Sequence, residues 1–390
     1  MKEIYLDYAA TTPVDERVLQ EMMDYFTKIY GNPSSFHNKG MEAKNAVDNA
    51  RDRIAKILNC SSKEVIFTSG GTESINFALK GIAFANKERG NHIITSRIEH
   101  HATLNVCRYL EKKGFEITYL DVDKDGIINP IDVEKSITDK TILISIMYAN
   151  NEIGVIEPIE EIGKIARRKG IYFHTDACQA AGFLELDVNK LGVDLLNLNG
   201  SKIYGPKGIG LLYIKRGVEI EPFVHGGGQE FGIRSGTENV PSIIGLAKAL
   251  ELTHEEMQKN NLKLINLRDF FIKKLLKIPK SRLNGHHEKR LPNNVNISFL
   301  DVEGEAMLLH LNEKGIYAST GSACASQSLE TSHVLRAIGL PYEASHGSLR
   351  FTLGNKTTIS DIENVLSILP NIIETLRNIS PLNLNMEHYK

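Results

Sequence analysis

The chain has 390 residues, of which 42% are hydrophobic and 24% charged, and its formal net charge is −2. A chain this long exceeds a single ordinary core, so two domains are expected. The near-neutral balance gives neither nucleic acid nor a strongly charged membrane surface a basis as partner.

The N-terminal MKEIYLDYAA carries acidic residues where a secretory leader would be apolar. No run of about 18 apolar residues occurs anywhere, so a cytoplasmic protein without a membrane segment is expected. In chain order, GMEAKNAVDNARDRIAKILN (40–59) places Ala43, Ala46, Val47, Ala50, Ile54 and Ile57 at helical spacing. Strand-length apolar runs then recur: EVIFTS (64–69), HIITS (92–96), EITYLDV (116–122), TILISIMYA (141–149), GIYFHTDA (170–177), DLLNLN (194–199) and GIGLLYI (208–214). Continuous apolar strands separated by helices imply a largely parallel sheet covered on both faces. Ligands of such sheets bind outside the carboxyl ends of the strands. Residues 242–277 read as one long helix. Beyond it come short strands (NVNISF, GIYAST) and helices (EGEAMLLHLNEK, TSHVLRAIGL), the pattern of a second domain beginning near residue 262.

Four cysteines, Cys60, Cys107, Cys178 and Cys324, are widely spaced and form no CxxC pair. That argues against a zinc ribbon or a disulfide framework and fits a reducing compartment; no metal site is expected. Cys60 and Cys107 read as packing residues, and Cys178 is assigned no role. Cys324 differs. It lies in STGSACASQS (319–328), whose small polar residues suit an exposed, mobile loop and not a core.

Three motifs fall at strand ends. In TSGGTESINFAL (68–79) a strand runs through Gly70, Gly71 and Thr72 into a helix, whose start favours a phosphate. In YFHTDACQ (172–179), Asp176 ends a buried strand and could pair with a protonated ring nitrogen. In NLNGSKIYGPKGIG (197–210), Lys202 follows a strand and could act as a nucleophile when desolvated. Each has an ordinary reading too: a glycine-rich turn, a helix N-cap and a solvated lysine. The glycines at 205, 208 and 210 have the wrong spacing for dinucleotide binding and open no helix. Taken together, phosphate turn, aspartate and lysine are the three groups that hold pyridoxal phosphate.

The sequence resembles the cysteine desulfurases of the NifS/IscS kind, class V of the fold-type I pyridoxal-phosphate enzymes. The motifs that carry the resemblance run through the whole chain: YLDYAATTPVD (5–15), YGNPSSFH (30–37), SGGTESIN (69–76), ANNEIGVI (149–156), HTDACQ (174–179), SKIYGPKGIG (201–210), HGGGQE (225–230), RSGTENVP (234–241), STGSACAS (319–326) and SLRFTLG (348–354). The resemblance implies an α/β fold. A large cofactor-binding domain (15–261) would hold a mainly parallel seven-stranded sheet flanked by helices. A smaller α+β domain (1–14 and 262–390) would carry the Cys324 loop.

It also implies roles. Lys202 would bind the cofactor aldehyde and move protons at the substrate α-carbon, and Asp176 would keep the ring nitrogen protonated. His100 would stack on the ring and act as an acid–base group; His101 is expected to be structural or solvated. Gln179 and Asn151 would hydrogen-bond the cofactor's phenolic oxygen and ring surroundings. Gly71, Thr72, Asn199 and Ser201 would surround the phosphate, with Thr237 reaching it from the other subunit of a homodimer. Arg350 would clamp the substrate carboxylate, helped by Asn32 and Asn151. Cys324 would accept sulfur from L-cysteine as a persulfide, leaving L-alanine, and pass it to an acceptor such as an iron–sulfur scaffold protein. Selenocysteine lyase, or another class V enzyme, is the alternative activity. Asn199 and Ser201 depart from the serine and histidine usual before the lysine, and Phe231 replaces a residue expected to be polar or basic.

Overall fold

The computed structural model describes residues 2–321 and 331–384. A two-residue strand, β1 (Ile4–Tyr5), opens the chain. Seven strands follow: β2 (Val65–Thr68), β3 (His92–Ser96), β4 (Glu116–Leu120), β5 (Thr141–Ser145), β6 (Tyr172–Asp176), β7 (Leu195–Asn199) and β8 (Gly210–Ile214). They form one sheet in the order β2-β8-β7-β6-β5-β3-β4. β8 runs antiparallel to both its neighbours; β7, β6, β5, β3 and β4 pair in parallel. Each of the seven apolar runs singled out in the sequence contains one of these strands.

Strand residues alternate between two cores, because successive side chains point to opposite faces. Ile66, Ile93, Leu143, Leu195 and Leu212 pack with the helices Gly71–Ala85 and His101–Glu111. Phe67, Ile94, Ile144, Leu196 and Leu211 pack on the other face with the helices Asn38–Leu58 and Ile159–Lys169. Burial on both faces is why the strands read as unbroken apolar runs instead of alternating ones.

The helix Val240–Leu275 has 36 residues, a length of about 54 Å. Its residues up to Leu252 join the core shared with Phe67, while Leu264, Leu267, Phe271, Ile272 and Leu275 join a different cluster. That second cluster collects Ile4 and Leu6 with residues from 264 to 376. It lies around β9 (Ser281–Leu283), β10 (Asn294–Phe299) and β12 (Ser348–Thr352), an antiparallel sheet in the order β12-β10-β9. β1 pairs in parallel with β11 (Ile316–Tyr317). From β1 the N-terminal segment continues past Asp7, which bridges to Thr352. Ala9 and Ala10 thereby reach the edge of the large sheet. No helix among the described residues is long and apolar enough to cross a membrane.

Candidate active site

β2, β6 and β7 point the same way, so their carboxyl ends share one edge of the sheet. Asp176 is the last residue of β6. Asn199 ends β7, and the 3-10 turn Gly200–Lys202 follows it directly. Two residues, Ser69 and Gly70, separate β2 from the helix Gly71–Ala85. A cleft of about 220 Å³ opens here, and its walls include Thr72, His100, Asp176, Gln179, Lys202 and Arg350, with Gly71, Asn151, Cys178 and Asn199 beside them. A second, more open cavity of about 230 Å³ adjoins it through Gly71, Thr72 and Asn199, and is also lined by Ser69, Glu73 and Ser201.

The second cavity lies at the helix start, where first-turn N–H groups have no intrahelical acceptor and the helix dipole is positive. Its one carboxylate, Glu73, is already engaged: Arg234 donates to Glu73 at 2.8 and 3.1 Å, and the Ser69 N–H at 2.8 Å. Glycine is needed at the junction. Gly70 has φ +150°, and a Cβ on Gly71 would stand 2.8 Å from Cys178 Sγ.

Asp176 is 6% exposed. Its Oδ1 accepts from the Cys178 N–H at 3.0 Å and from Asn197 Nδ2 at 2.8 Å. The first of these bonds closes a local turn and caps no helix, contrary to the ordinary reading of Asp176, because the next helix begins only at Val188; the second is not local. Lys202 Nζ donates to the Ala10 carbonyl, and Gln179 Nε2 donates to the Ala9 carbonyl at 3.0 Å. Arg350 is 1% exposed. Its Nη1 donates to the Asn151 carbonyl at 3.0 Å and its Nη2 to Asp7 Oδ1 at 2.8 Å, while Nε has no hydrogen-bond partner among the described residues. His100 caps the helix His101–Glu111 through Nδ1, which accepts from the Ala102 N–H at 3.1 Å. In the neutral ring that leaves the proton on Nε2. His101 packs against His333 with ring centres 4.7 Å apart.

The cleft thus gathers nine of the site residues expected from the sequence, and Ser201 joins them in the second cavity. Asn32 and Thr237 do not line either cavity: both are exposed, and Asn32 Oδ1 accepts from the Ser34 N–H at 2.9 Å. Phe231 stands outside the cleft as well, with φ +60° and the Arg51 guanidinium 5.1 Å from its ring centre. Cys324 lies outside the described residues. The described residues on either side of its segment approach one carboxylate: Ser332 Oγ donates to Glu152 Oε2 at 2.5 Å, and a Cβ on Gly321 would lie 3.0 Å from the same oxygen. Sequence reasoning missed Asp7, the carbonyls of Ala9 and Ala10, and Asn197. It gave Cys178, beside Asp176, no role; the residue lines the cleft, and burial raises its thiol well above its ordinary range.

One further carboxyl supports the site from behind. Glu99 is 1% exposed, and its Oε1 accepts from Ser96 Oγ at 2.7 Å and from the Met147 N–H at 3.0 Å. Burial pushes it up to about 8. A proton held in the folded state but not in the unfolded one stabilises the fold at low pH, and that contribution is lost as pH rises through about 8. Glu99→Gln is therefore expected to flatten the decline of stability between the ordinary carboxylate range and that pH by about 1.4 kcal/mol per pH unit. Chemical denaturation of parent and variant across that range checks it; an unchanged slope would show Glu99 ionised in the fold.

Comparison with known proteins adds identity to this geometry. The family model described as aminotransferase class-V matches residues 4–365. Cysteine desulfurase IscS of Methanosarcina thermophila is 56% identical over 381 residues, covering 98% of this chain and 94% of the relative. Cysteine desulfurase IscS of Clostridium botulinum strain Hall is 54% identical over 384 residues, covering 98% and 97%. Among solved structures, a NifS-like protein superposes with a TM-score of 0.91 at 38% identity, over 96% of this chain and all of the other, 100%. A structure described as SspA in complex with cysteine superposes with a TM-score of 0.80 at 38% identity, over 92% and 100%.

Proposed function

We propose that this chain, which belongs to the aminotransferase class-V family, is a cysteine desulfurase that uses pyridoxal phosphate, converts L-cysteine to L-alanine and carries the sulfur away as a persulfide on Cys324. The observation that carries the reading is the convergence of Asp176, Lys202 and Arg350 on one cleft in a chain 56% identical, over nearly its full length, to a protein named cysteine desulfurase.

The residues present fit the cofactor. A helix start with a glycine cradle and the hydroxyl of Thr72 suits its phosphate, and a buried carboxylate at the end of β6 suits its ring nitrogen. A lysine just beyond the neighbouring strand β7, at the same edge of the sheet, suits its aldehyde. When bound, pyridoxal phosphate supplies an aldehyde that condenses with amines and a protonated ring that withdraws electrons from the bonds at the substrate α-carbon. Lys202, once displaced by the substrate amine, takes the α-proton and returns it. Asn199 and Ser201, in the places of the usual serine and histidine, both face the phosphate cavity and keep it polar.

Arg350 binds the substrate carboxylate. Its side chain lines the cleft, where it supplies a charge-assisted bond to that group. Cys324 attacks the substrate sulfur as a thiolate. The S–S bond forms as the carbon–sulfur bond breaks, the electron pair stays with the β-carbon, and that carbon takes a proton to give alanine. Ser332 is tied to Glu152, next to Asn151, and Gly321 lies close to the same carboxylate, so the described residues on both sides of this segment stand beside the cleft.

A homodimer belongs to the same reading. Thr237 is exposed and outside the cleft of its own chain, so it serves the phosphate of a second copy, and the exposed Tyr30, Phe36 and Phe231 are then covered. The division into domains near residue 262, a cytoplasmic location, which suits the free thiols of Cys60, Cys107 and Cys178, and an acceptor such as an iron–sulfur scaffold protein complete it.

The test is to give L-cysteine and a thiol reductant to the cofactor-loaded protein. Alanine and sulfide in equal amounts support the reading. Sustained transfer of the amino group to a keto acid, or turnover of L-selenocysteine with none of L-cysteine, overturns it. Arg350→Lys, which loses the fork geometry, is expected to lower kcat/KM for L-cysteine about 10- to 100-fold, chiefly through KM; initial rates over a range of L-cysteine concentrations measure this.

A further inference from the structure

A buried polar row crosses the sheet behind Asp176, on the face covered by the helix Gly71–Ala85. The parallel register pairs Ser145 with His174 and Asp176 with Asn197, and these side chains share one face because strand residues alternate. Ser145 Oγ lies 2.9 Å from His174 Nδ1, His174 Nε2 lies 2.8 Å from Asn197 Oδ1, and Asn197 Nδ2 lies 2.8 Å from Asp176 Oδ1. Asn197 Nδ2 also donates to Cys178 Sγ at 3.2 Å. His174 and Asn197 are both 0% exposed.

The direction of the bonds in the row follows from the Asp176 carboxylate together with a neutral His174 ring. A carboxylate only accepts, so the Asn197 amide turns its NH2 to Asp176 and its carbonyl oxygen to His174. His174 must then carry its proton on Nε2 and accept from the Ser145 hydroxyl on Nδ1. Its ring is neutral, in agreement with burial, which lowers it below its ordinary value. Two N–H groups, from Asn197 and from the Cys178 backbone, hold Oδ1 of Asp176. Neither engages Oδ2.

We infer that Asn197 is a positioning residue for the cofactor: with the neutral His174 locked behind it, its amide fixes the plane of the Asp176 carboxylate so that Oδ2 is presented to the cofactor's ring nitrogen. The inference rests on the pyridoxal-phosphate reading above. Asn197 does not line the cleft, so it acts through the residues it holds, Asp176 by the shorter bond and Cys178 by the longer. A polar row that merely satisfied the core would stabilise the fold without affecting how tightly, or in which protonation state, the cofactor is held.

Two variants separate these roles. Asn197→Asp keeps the shape and the acceptor for His174 but sets a second carboxylate against Asp176, a conflict that only an added proton relieves. Asn197→Leu removes both polar contacts without adding charge. The titratable groups around Asp176 are His174 in its own strand, Cys178 after it, Lys202 beyond β7, and Glu99 and His100 before the helix His101–Glu111; all are common to parent and variants. The cofactor is stripped from each protein and pyridoxal phosphate is titrated back. Its dissociation constant and the pH titration of its visible absorption band are recorded, with the melting temperature of the stripped protein as control.

Both variants are expected to bind pyridoxal phosphate about 10- to 100-fold more weakly, the scale of a lost hydrogen bond to a charged group. The absorption band of Asn197→Asp is expected to titrate at a different pH from the parent's. Unchanged dissociation constants and titrations, with only the melting temperature lowered, overturn the inference. Should Asn197→Leu fail to fold, Asn197→Asp carries the test alone. A parent that takes up no pyridoxal phosphate overturns the functional reading itself, and the inference with it.

Discussion

Cys324→Ala is expected to reduce alanine and sulfide formation from L-cysteine together by at least about 1,000-fold, since the nucleophile has no substitute and the steps it serves cannot be bypassed. The variant should nevertheless bind the cofactor as the parent does, and L-cysteine should still alter its visible absorption, because Asp176, Lys202 and Arg350 are untouched. The combination matters. Loss of both products with binding intact assigns the sulfur-accepting step to Cys324, whereas undiminished turnover in the variant would remove the persulfide from the mechanism and favour direct elimination from the substrate. An alkylating reagent that labels Cys324 only before L-cysteine is added, followed by mass spectrometry of the peptide, gives an independent check on the added sulfur.

Lys202→Ala should fail earlier. Removing the amine takes away both the covalent tether of the cofactor and the group that moves the α-proton. General acid–base catalysis alone contributes about 10²- to 10⁴-fold, so kcat is expected to fall by at least that much. Unlike Cys324→Ala, this variant should lose the parent's cofactor absorption. An added small primary amine should restore part of the proton transfer. Retention of full activity would show that the lysine at the end of the Gly200–Lys202 turn is the solvated side chain its ordinary reading allows. The contact of Nζ with the Ala10 carbonyl makes a different outcome expected, because it already holds the half-buried amine at the cleft.

The parts of the fold that were legible before the structure share a local cause. Unbroken apolar runs announce strands buried on both faces, and all seven formed where β-branched and leucine side chains cluster. The long helix was legible within two residues at each end, from 242–277 to Val240–Leu275. Asp176 and Lys202 could be named because strand ends mark the ligand side of a parallel sheet. Asn197 was passed over for the opposite reason. It sits in DLLNLN as one polar residue among leucines, and only pairing with a strand 21 residues earlier turns its amide towards Asp176. Asp7 is farther still from its partner, 343 positions before Arg350. No local pattern encodes such a contact. The reversed direction of β8 was likewise illegible, since a buried strand reads the same apolar way in either orientation.

The sequence by itself determined where strands and helices form, which residue types stand at the strand ends, and, through its ordered motifs, the family and its chemistry. Those properties are set by neighbours along the chain: side-chain periodicity, glycine at a turn, a helix separated from a strand by two residues. The tertiary structure alone decided which of the polar residues meet. Strand order and parallel register brought Ser145, His174, Asn197 and Asp176 into one row, and the N-terminal segment carried Ala9, Ala10 and Asp7 to Gln179, Lys202 and Arg350. It also left Asn32 and Thr237 on the surface of the single chain. Buried polar groups must find partners wherever the sheet delivers them, and that delivery depends on packing the whole chain at once.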